Sequence, residues 1–264
     1  MDSYSFFPTQ PEMKCKSIYY KESKPQEDLD NEVSLFYKFK VDYDHQGYLP
    51  VVPDGCFDLL FCFNESNPFA VVGVSPDKRC TYKFKEDSEY FGVRFYPQQS
   101  RVQFNCSFKE LFQHEQLPLF DVLNLKESII EELVTLKGFS EQVLWFSSYL
   151  KTINPKKSYD LGLTSYCLKK IYSSYGSINI NQLSLETGYS DTYIRRKFED
   201  YIGFSPKKFS QIIKLQYSIN KLLQNPRLKD RTVEELGYFD RSHFYKNFIK
   251  YMSLTPKQYR EMIF

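Results

Sequence analysis

Short apolar segments rich in aromatic residues follow one another between residues 32 and 96 of the chain. They read EVSLFYKFKV, FDLLFCF, FAVVGV, RCTYKFK and EYFGVRFY, and turn residues such as Pro53-Asp54-Gly55 separate them. Segments of this length, rich in β-branched and aromatic residues and bounded by Gly, Pro and Asp, are typical of strands. The pattern predicts an antiparallel sheet or a small barrel.

The apolar positions take on a helical period from about residue 107, in FKELFQ, LKESIIEELVTL and FSEQVLWFSSYL. The segment that begins at Asn154 contains Pro and Lys and has the composition of a linker. The chain beyond it has a helical pattern throughout. We therefore predict an α+β protein. It has a β-rich domain with a helical tail at residues 1–153, a linker at 154–164, and an all-α domain at 165–264.

Two segments of the all-α domain are near copies of each other. GYSDTYIRRKFEDYIGFSP begins at Gly188, and GYFDRSHFYKNFIKYMSLTP begins at Gly237. When Phe198 is aligned with Phe248, each copy places three apolar residues at i, i+4 and i+7, which is one face of a helix. The other face carries the polar or basic residues Thr192, Arg195 and Arg196 in the first copy, and Ser242, His243, Tyr245 and Lys246 in the second.

Each of these helices follows a short helix that ends at a glycine, which is the layout of a helix-turn-helix unit. In the first unit, Ile180, Leu183 and Leu185 are expected to form the apolar side of the short helix. The units are predicted at about 178–203 and 227–252, with a linker helix at about 205–225 between them. About 20 helical residues span about 30 Å, close to the roughly 34 Å between successive major grooves on one face of DNA. Short polar and basic side chains suit a helix in such a groove.

The formal net charge of +2 hides an asymmetry between the two halves of the chain. Residues 1–164 carry a net charge of −6, and residues 165–264 carry +8. A basic carboxy-terminal part that follows an acidic amino-terminal part favours binding to a polyanion such as nucleic acid. A solvated helical surface without such a partner would have the same composition. The chain shows no secretory signal, no membrane-spanning run and no CxxC pair, so we expect a cytoplasmic protein with reduced thiols and no membrane partner.

The all-α domain resembles the DNA-binding domain of the AraC/XylS family of bacterial transcription regulators, and the repeated segments carry this resemblance. The resemblance implies double-stranded DNA as a partner, with base contacts from the seven residues named above. It also implies RNA polymerase as a partner and most often an activator. The β-rich half resembles the cupin-like domain of one branch of the family, which implies a small-molecule effector, a homodimer, or both. The chain departs from the family pattern at Lys229 and Thr232, where bulky apolar residues are usual before the second glycine.

Two other functions stay open from the sequence. A DNA-repair methyltransferase would need a metal-bound cysteine, but Cys56, Cys62, Cys80 and Cys106 lack close-pair spacing. A protein-binding adaptor would have a vestigial DNA-binding half, which the departure at Lys229 and Thr232 would favour. We predict no enzyme activity, cofactor or metal, because His45 and His114 are far apart and form no HxH pattern. Cys56 is interpreted as a buried strand cysteine rather than a redox sensor. Asp54, Gly55, Asp58 and Arg94 are interpreted as structural.

Overall fold

The computed structural model describes residues 6–41, 46–155, 159–225 and 230–264. His45, Lys229 and residues 156–158 of the predicted linker lie outside this part of the chain, and so does the side chain of Thr232. The strands are β1 (Tyr19–Ser23), β2 (Val33–Lys40), β3 (Tyr48–Val51), β4 (Phe57–Phe63), β5 (Phe69–Val74), β6 (Cys80–Lys83), β7 (Glu89–Phe95) and β8 (Gln116–Pro118).

Helices surround the sheet and make up the carboxy-terminal half. They are α1 (Pro11–Lys16), α2 (Phe108–Leu111), α3 (Leu119–Val122), α4 (Ser128–Thr135), α5 (Phe139–Thr152), α6 (Tyr159–Ser173), α7 (Ile180–Thr187), α8 (Asp191–Ile202), α9 (Pro206–Gln224), α10 (Asp230–Glu235), α11 (Arg241–Met252) and α12 (Pro256–Ile263). None of the described helices is long and apolar enough to cross a membrane. The predicted α+β class is confirmed.

The β-rich domain consists of two antiparallel sheets. The larger has the order β1-β2-β7-β4-β5-β8, and β3 and β6 form the smaller. Side chains alternate across the larger sheet, so that Leu59 and Phe61 of β4 pack under α4 and α5 while Leu60 and Cys62 face the smaller sheet. Burial on both faces explains why β4 is apolar on both sides from Leu59 to Phe63.

Arg94 of β7 forms a buried ion cluster between the two sheets. Its guanidinium donates to both carboxylate oxygens of Asp58, at 2.9 and 2.8 Å, and lies 3.3 Å from a carboxylate oxygen of Asp54. Burial opposes the Arg94 cation, but the Asp58 and Asp54 carboxylates outweigh it and raise the pKa of Arg94. The structural interpretation of these residues agrees with this geometry.

One sequence prediction about the first helix-turn-helix unit is wrong. Leu183 of α7 is fully buried and Ile180 is half-buried, as expected, but the Leu185 side chain is 85% exposed. Residues two positions apart lie on nearly opposite sides of a helix with about 3.6 residues per turn. Leu183 and Leu185 therefore cannot share one apolar face.

Candidate nucleic-acid interface

The first helix-turn-helix unit is built by local capping signals. Helix α7 ends at Gly188, whose φ of +73° is the left-handed conformation that glycine adopts without strain. Ser190 then caps α8, because its hydroxyl accepts the backbone N–H of Tyr193 at 3.3 Å. The face of α8 that packs on the core consists of Ile194, Phe198 and Ile202.

The second unit repeats this arrangement with a longer turn. Gly237 has a φ of +75°, and the Asp240 carboxylate caps α11 by accepting the His243 N–H at 2.7 Å. One residue more separates the glycine from the cap than in the first unit. The additional residue is Phe239, whose side chain is 88% exposed. The turn before α11 is therefore one residue longer than the turn before α8.

The described residues of the second unit form an apolar core. Val233 and Leu236, next to the segment where bulky residues were expected, are 1% and 4% exposed. They belong to one buried cluster with Phe244 and Phe248 of α11. The departure itself, at Lys229 and the Thr232 side chain, lies outside the described residues, so a weakened second unit stays a hypothesis.

All seven residues that the sequence assigns to base contacts are exposed on α8 and α11. They are Thr192, Arg195, Arg196, Ser242, His243, Tyr245 and Lys246. Helix α11 carries three basic residues and no carboxylate, whereas α8 carries three of each. Their side chains are exposed to solvent and therefore accessible to DNA. Their contact with bases stays a prediction.

The environments of the two arginines differ. Arg195 donates to the Glu199 carboxylate at 2.8 Å, one turn along the exposed face of α8. Arg196 instead lies over the ring of Tyr193, 5.4 Å from its centroid. A cation held over an aromatic face keeps its donors available at low cost in side-chain entropy. Arg196 is therefore the better candidate for a bidentate contact to guanine.

Sequence reasoning missed the aromatic support beneath Arg196. The rings of Tyr189 and Tyr193 stack with centroids 5.0 Å apart, and the Arg196 guanidinium and the Lys197 ammonium both lie over the Tyr193 ring, at 5.4 and 5.7 Å. In the second unit, Tyr238 and His243 meet edge to face, with centroids 5.5 Å apart. The two tyrosines on either side of the Ser190 cap are the signal that could have revealed the support beneath Arg196.

Helix α9 sets the separation of the two units. Its 19 residues span about 28 Å. Ser205 caps it and Pro206 occupies its first turn, as Thr255 and Pro256 do for α12. The spacing fits two reading helices on one face of a duplex, about 34 Å per helical turn.

The β-rich domain docks on α9 through buried polar contacts. Gln216, which is fully buried, accepts the Thr9 N–H at 2.8 Å and donates to the Pro53 carbonyl at 2.7 Å. The ring of Phe209 lies against Gly55, where an added Cβ would come within 2.6 Å of it. The amino-terminal segment also enters this junction, because Phe6 stacks on Tyr172 at 5.0 Å.

The candidate cysteines of a repair enzyme lie in separate places. Cys56 belongs to the buried cluster at the domain junction and Cys62 to the layer between the sheets. Burial raises the pKa of both thiols, and it raises the pKa of Cys80 to about 11. Among the described residues, no three His, Cys, Asp or Glu side chains gather as metal ligands would.

Comparisons with known proteins agree with this geometry. Residues 183–262 match the family described as Helix-turn-helix domain, and residues 21–116 match a Domain of unknown function (DUF6597). An uncharacterized HTH-type transcriptional regulator of Haemophilus influenzae is 33% identical over 85 residues, which are 32% of this chain. The match spans 28% of the length of that curated relative.

Solved structures with similar folds have low identity. An apo form of a ToxT variant from Vibrio cholerae has 12% identity and a TM-score of 0.43, over 83% of this chain and 98% of that one. The C-terminal domain of AraT, a response regulator from Geobacillus stearothermophilus, has 21% identity and a TM-score of 0.35, over 40% and 86%.

The two exposed helices and the match over residues 183–262 define a helix-turn-helix domain, and the curated relative is described as a transcriptional regulator. The repeated segments that resemble the AraC/XylS family fall within these matched residues.

The residue that follows α11 makes a testable difference between the two units. Gly203 ends α8 with a φ of +82°, but the corresponding Ser253 ends α11 with a φ of +56°. A non-glycine residue in this conformation costs about 1–2 kcal/mol, part of which glycine recovers. Ser253→Gly is expected to raise the free energy of unfolding by about 0.5–1 kcal/mol in urea titrations.

The reverse exchange is the matched control. In Gly203→Ser, the new Cβ would lie 2.6 Å from the ring of Phe112, so this variant should lose more stability than Ser253→Gly gains. Equal and opposite effects would mean that backbone conformation alone separates the two positions. A loss of stability in Ser253→Gly would refute the strain argument.

Proposed function

We propose that the protein regulates transcription by placing α8 and α11 in successive major grooves on one face of a bipartite DNA site. The observation that carries this proposal is the exposure of all seven predicted residues on two helices joined by a spacer of 19 residues. The basic excess of residues 165–264 would add phosphate contacts that do not depend on sequence.

The docking of the β-rich domain supports simultaneous reading by both units. Its contacts fall on α6 and α9, on the carboxyl-terminal ends of α8 and α11, and on α12. Phe112 packs on Phe204 at 4.7 Å, and the Arg79 N–H donates to the Tyr251 carbonyl at 2.7 Å. Reading residues lie nearer the amino-terminal ends of α8 and α11, so the docked domain leaves them accessible.

Activation through RNA polymerase, homodimer formation and a cytoplasmic location are further parts of the proposal. They rest on the resemblance of the carboxy-terminal domain to the AraC/XylS family. The β-rich domain, in this proposal, binds a small-molecule effector and alters the orientation of the two reading helices through α8 and α9.

Selection of random duplex DNA on the full-length protein at about physiological salt tests the reading function. The expected product is a bipartite motif whose half-elements are about one helical turn, roughly 10 base pairs, apart. A single half-element would mean that only one unit reads bases. Absence of any motif, with and without cell extract, would contradict the proposal and favour the adaptor function.

A further inference from the structure

A cavity of about 360 Å³ lies at the junction between the β-rich domain and the first reading helix. One wall is formed by the segment 97–108 and the other by α8. The residues used in the argument are Phe104, Cys106, Phe108, Lys197, Asp200 and Tyr201. Its size falls within the roughly 300–1,000 Å³ range of small-molecule sites.

The space between the two sheets is a poor alternative. The cavity there measures about 20 Å³, because Arg94, Asp58 and the surrounding side chains fill the layer. A volume of this size holds about one water molecule. A small molecule that binds this domain therefore needs another site, and the junction cavity offers both room and contact with α8.

The lining of the junction cavity is aromatic on one side and charged on the other. The rings of Phe104 and Phe108 meet edge to face with centroids 5.2 Å apart, which leaves an aromatic surface for a planar ligand ring. Lys197 and Asp200 are three residues apart on α8 and both line the cavity, and the Lys197 ammonium also lies over the Tyr193 ring, 5.7 Å from its centroid.

We propose that this cavity binds a small aromatic molecule with a zwitterionic head group, of which an aromatic amino acid is the simplest example. The ligand carboxylate pairs with Lys197 and the ligand ammonium with Asp200, while the ring packs on Phe104 and Phe108. Charge-assisted hydrogen bonds of this kind are the strong and directional ones. A ligand with only one of the two charges forms only one of the two pairs.

Binding in this cavity would act on DNA recognition through α8. Lys197, Asp200 and Tyr201 lie on a face of that helix next to the one that carries Thr192 and Arg196. A ligand that joins this face to segment 97–108 restricts the orientation of the helix. This consequence rests on the proposed function, and we expect about fivefold or greater tightening of DNA binding.

Isothermal titration of the full-length protein without DNA tests the site itself. L-Tryptophan is expected to bind more tightly than indole-3-acetate, tryptamine or indole. Asp200→Asn is expected to weaken L-tryptophan about tenfold or more and to leave indole-3-acetate unchanged. Glu131→Gln, an exposed carboxylate on α4, is the matched control and should bind like the unaltered protein.

Two results would overturn the site. One is the absence of binding by L-tryptophan, L-tyrosine and L-phenylalanine at millimolar concentration. The other is binding that Asp200→Asn leaves intact but Tyr149→Ala abolishes, since Tyr149 lines the neighbouring cleft of about 300 Å³.

Protection of cysteines gives an independent measurement. Mass spectrometry after alkylation should show slower modification of Cys106, in the cavity wall, when L-tryptophan is present, and no change at the exposed Cys15. Equal rates at Cys106 with and without ligand would contradict the placement.

The selection of duplex DNA tests the proposed function separately from the ligand site. Ligand binding with no selected DNA motif would refute the proposed function. A selected motif without ligand binding would refute only this inference.

Discussion

Replacement of Arg196 by alanine is expected to lower affinity for the selected duplex by about 1–3 kcal/mol, or roughly 5- to 150-fold. The guanidinium is exposed and held over the Tyr193 ring at 5.4 Å, so its donors are oriented before DNA arrives. Fluorescence anisotropy should show the loss on the selected duplex and little loss on duplexes altered at the base pair that Arg196 reads.

The controls for Arg196 separate base reading from charge. Lys257, an exposed cation on α12 paired with Glu261 at 3.8 Å, lies outside both reading helices, and Lys257→Ala should leave affinity nearly unchanged. Tyr193→Ala removes the ring beneath Arg196 and should reproduce part of the loss. If Arg196→Ala weakens every duplex equally, Arg196 contacts phosphate and the base assignment is wrong.

The reading units could be predicted from the sequence because their signals are local. Gly188 and Gly237 end the short helices, and Ser190 caps the helix that follows the first turn. Each of these features depends on residues within a few positions of one another. The exposure of the seven predicted residues followed from the periodicity that also identified the buried Phe198 and Phe248.

The domain junction could not be predicted, because it joins residues far apart in the chain. Nothing near Phe6 indicates that it stacks on Tyr172, and nothing near Gln216 indicates that it binds Pro53. The error at Leu185 has a different origin. A short helix has too few apolar positions to define its buried face without its neighbours.

The buried ion cluster is connected to this junction through one loop. Asp54 accepts the backbone N–H of Cys56 at 2.9 Å and the side-chain amide of Gln10 at 2.9 Å. The same loop places the Pro53 carbonyl on Gln216 and Gly55 under Phe209. Arg94 therefore stabilises the surface on which α9 docks, as well as the layer between the sheets.

Substitution of Arg94 by methionine is expected to lower the free energy of unfolding by about 3–5 kcal/mol at pH 7.5, because it leaves two carboxylates without their buried cation. Burial already raises the pKa of Asp58, and Arg94 opposes this shift. Removal of Arg94 must raise that pKa further. Chemical denaturation at several pH values measures the loss.

The pH dependence gives this prediction its sharpest test. A carboxyl group whose folded pKa is raised destabilises the protein above that pKa, and the penalty disappears as the pH falls toward the unfolded value of 3.8. The difference between Arg94→Met and the unaltered protein should therefore shrink from pH 7.5 to pH 5. The triple variant with Asp54→Asn and Asp58→Asn removes the charges and should recover part of the stability at pH 7.5. An equal loss at every pH, unchanged in the triple variant, would mean that Arg94 contributes packing alone.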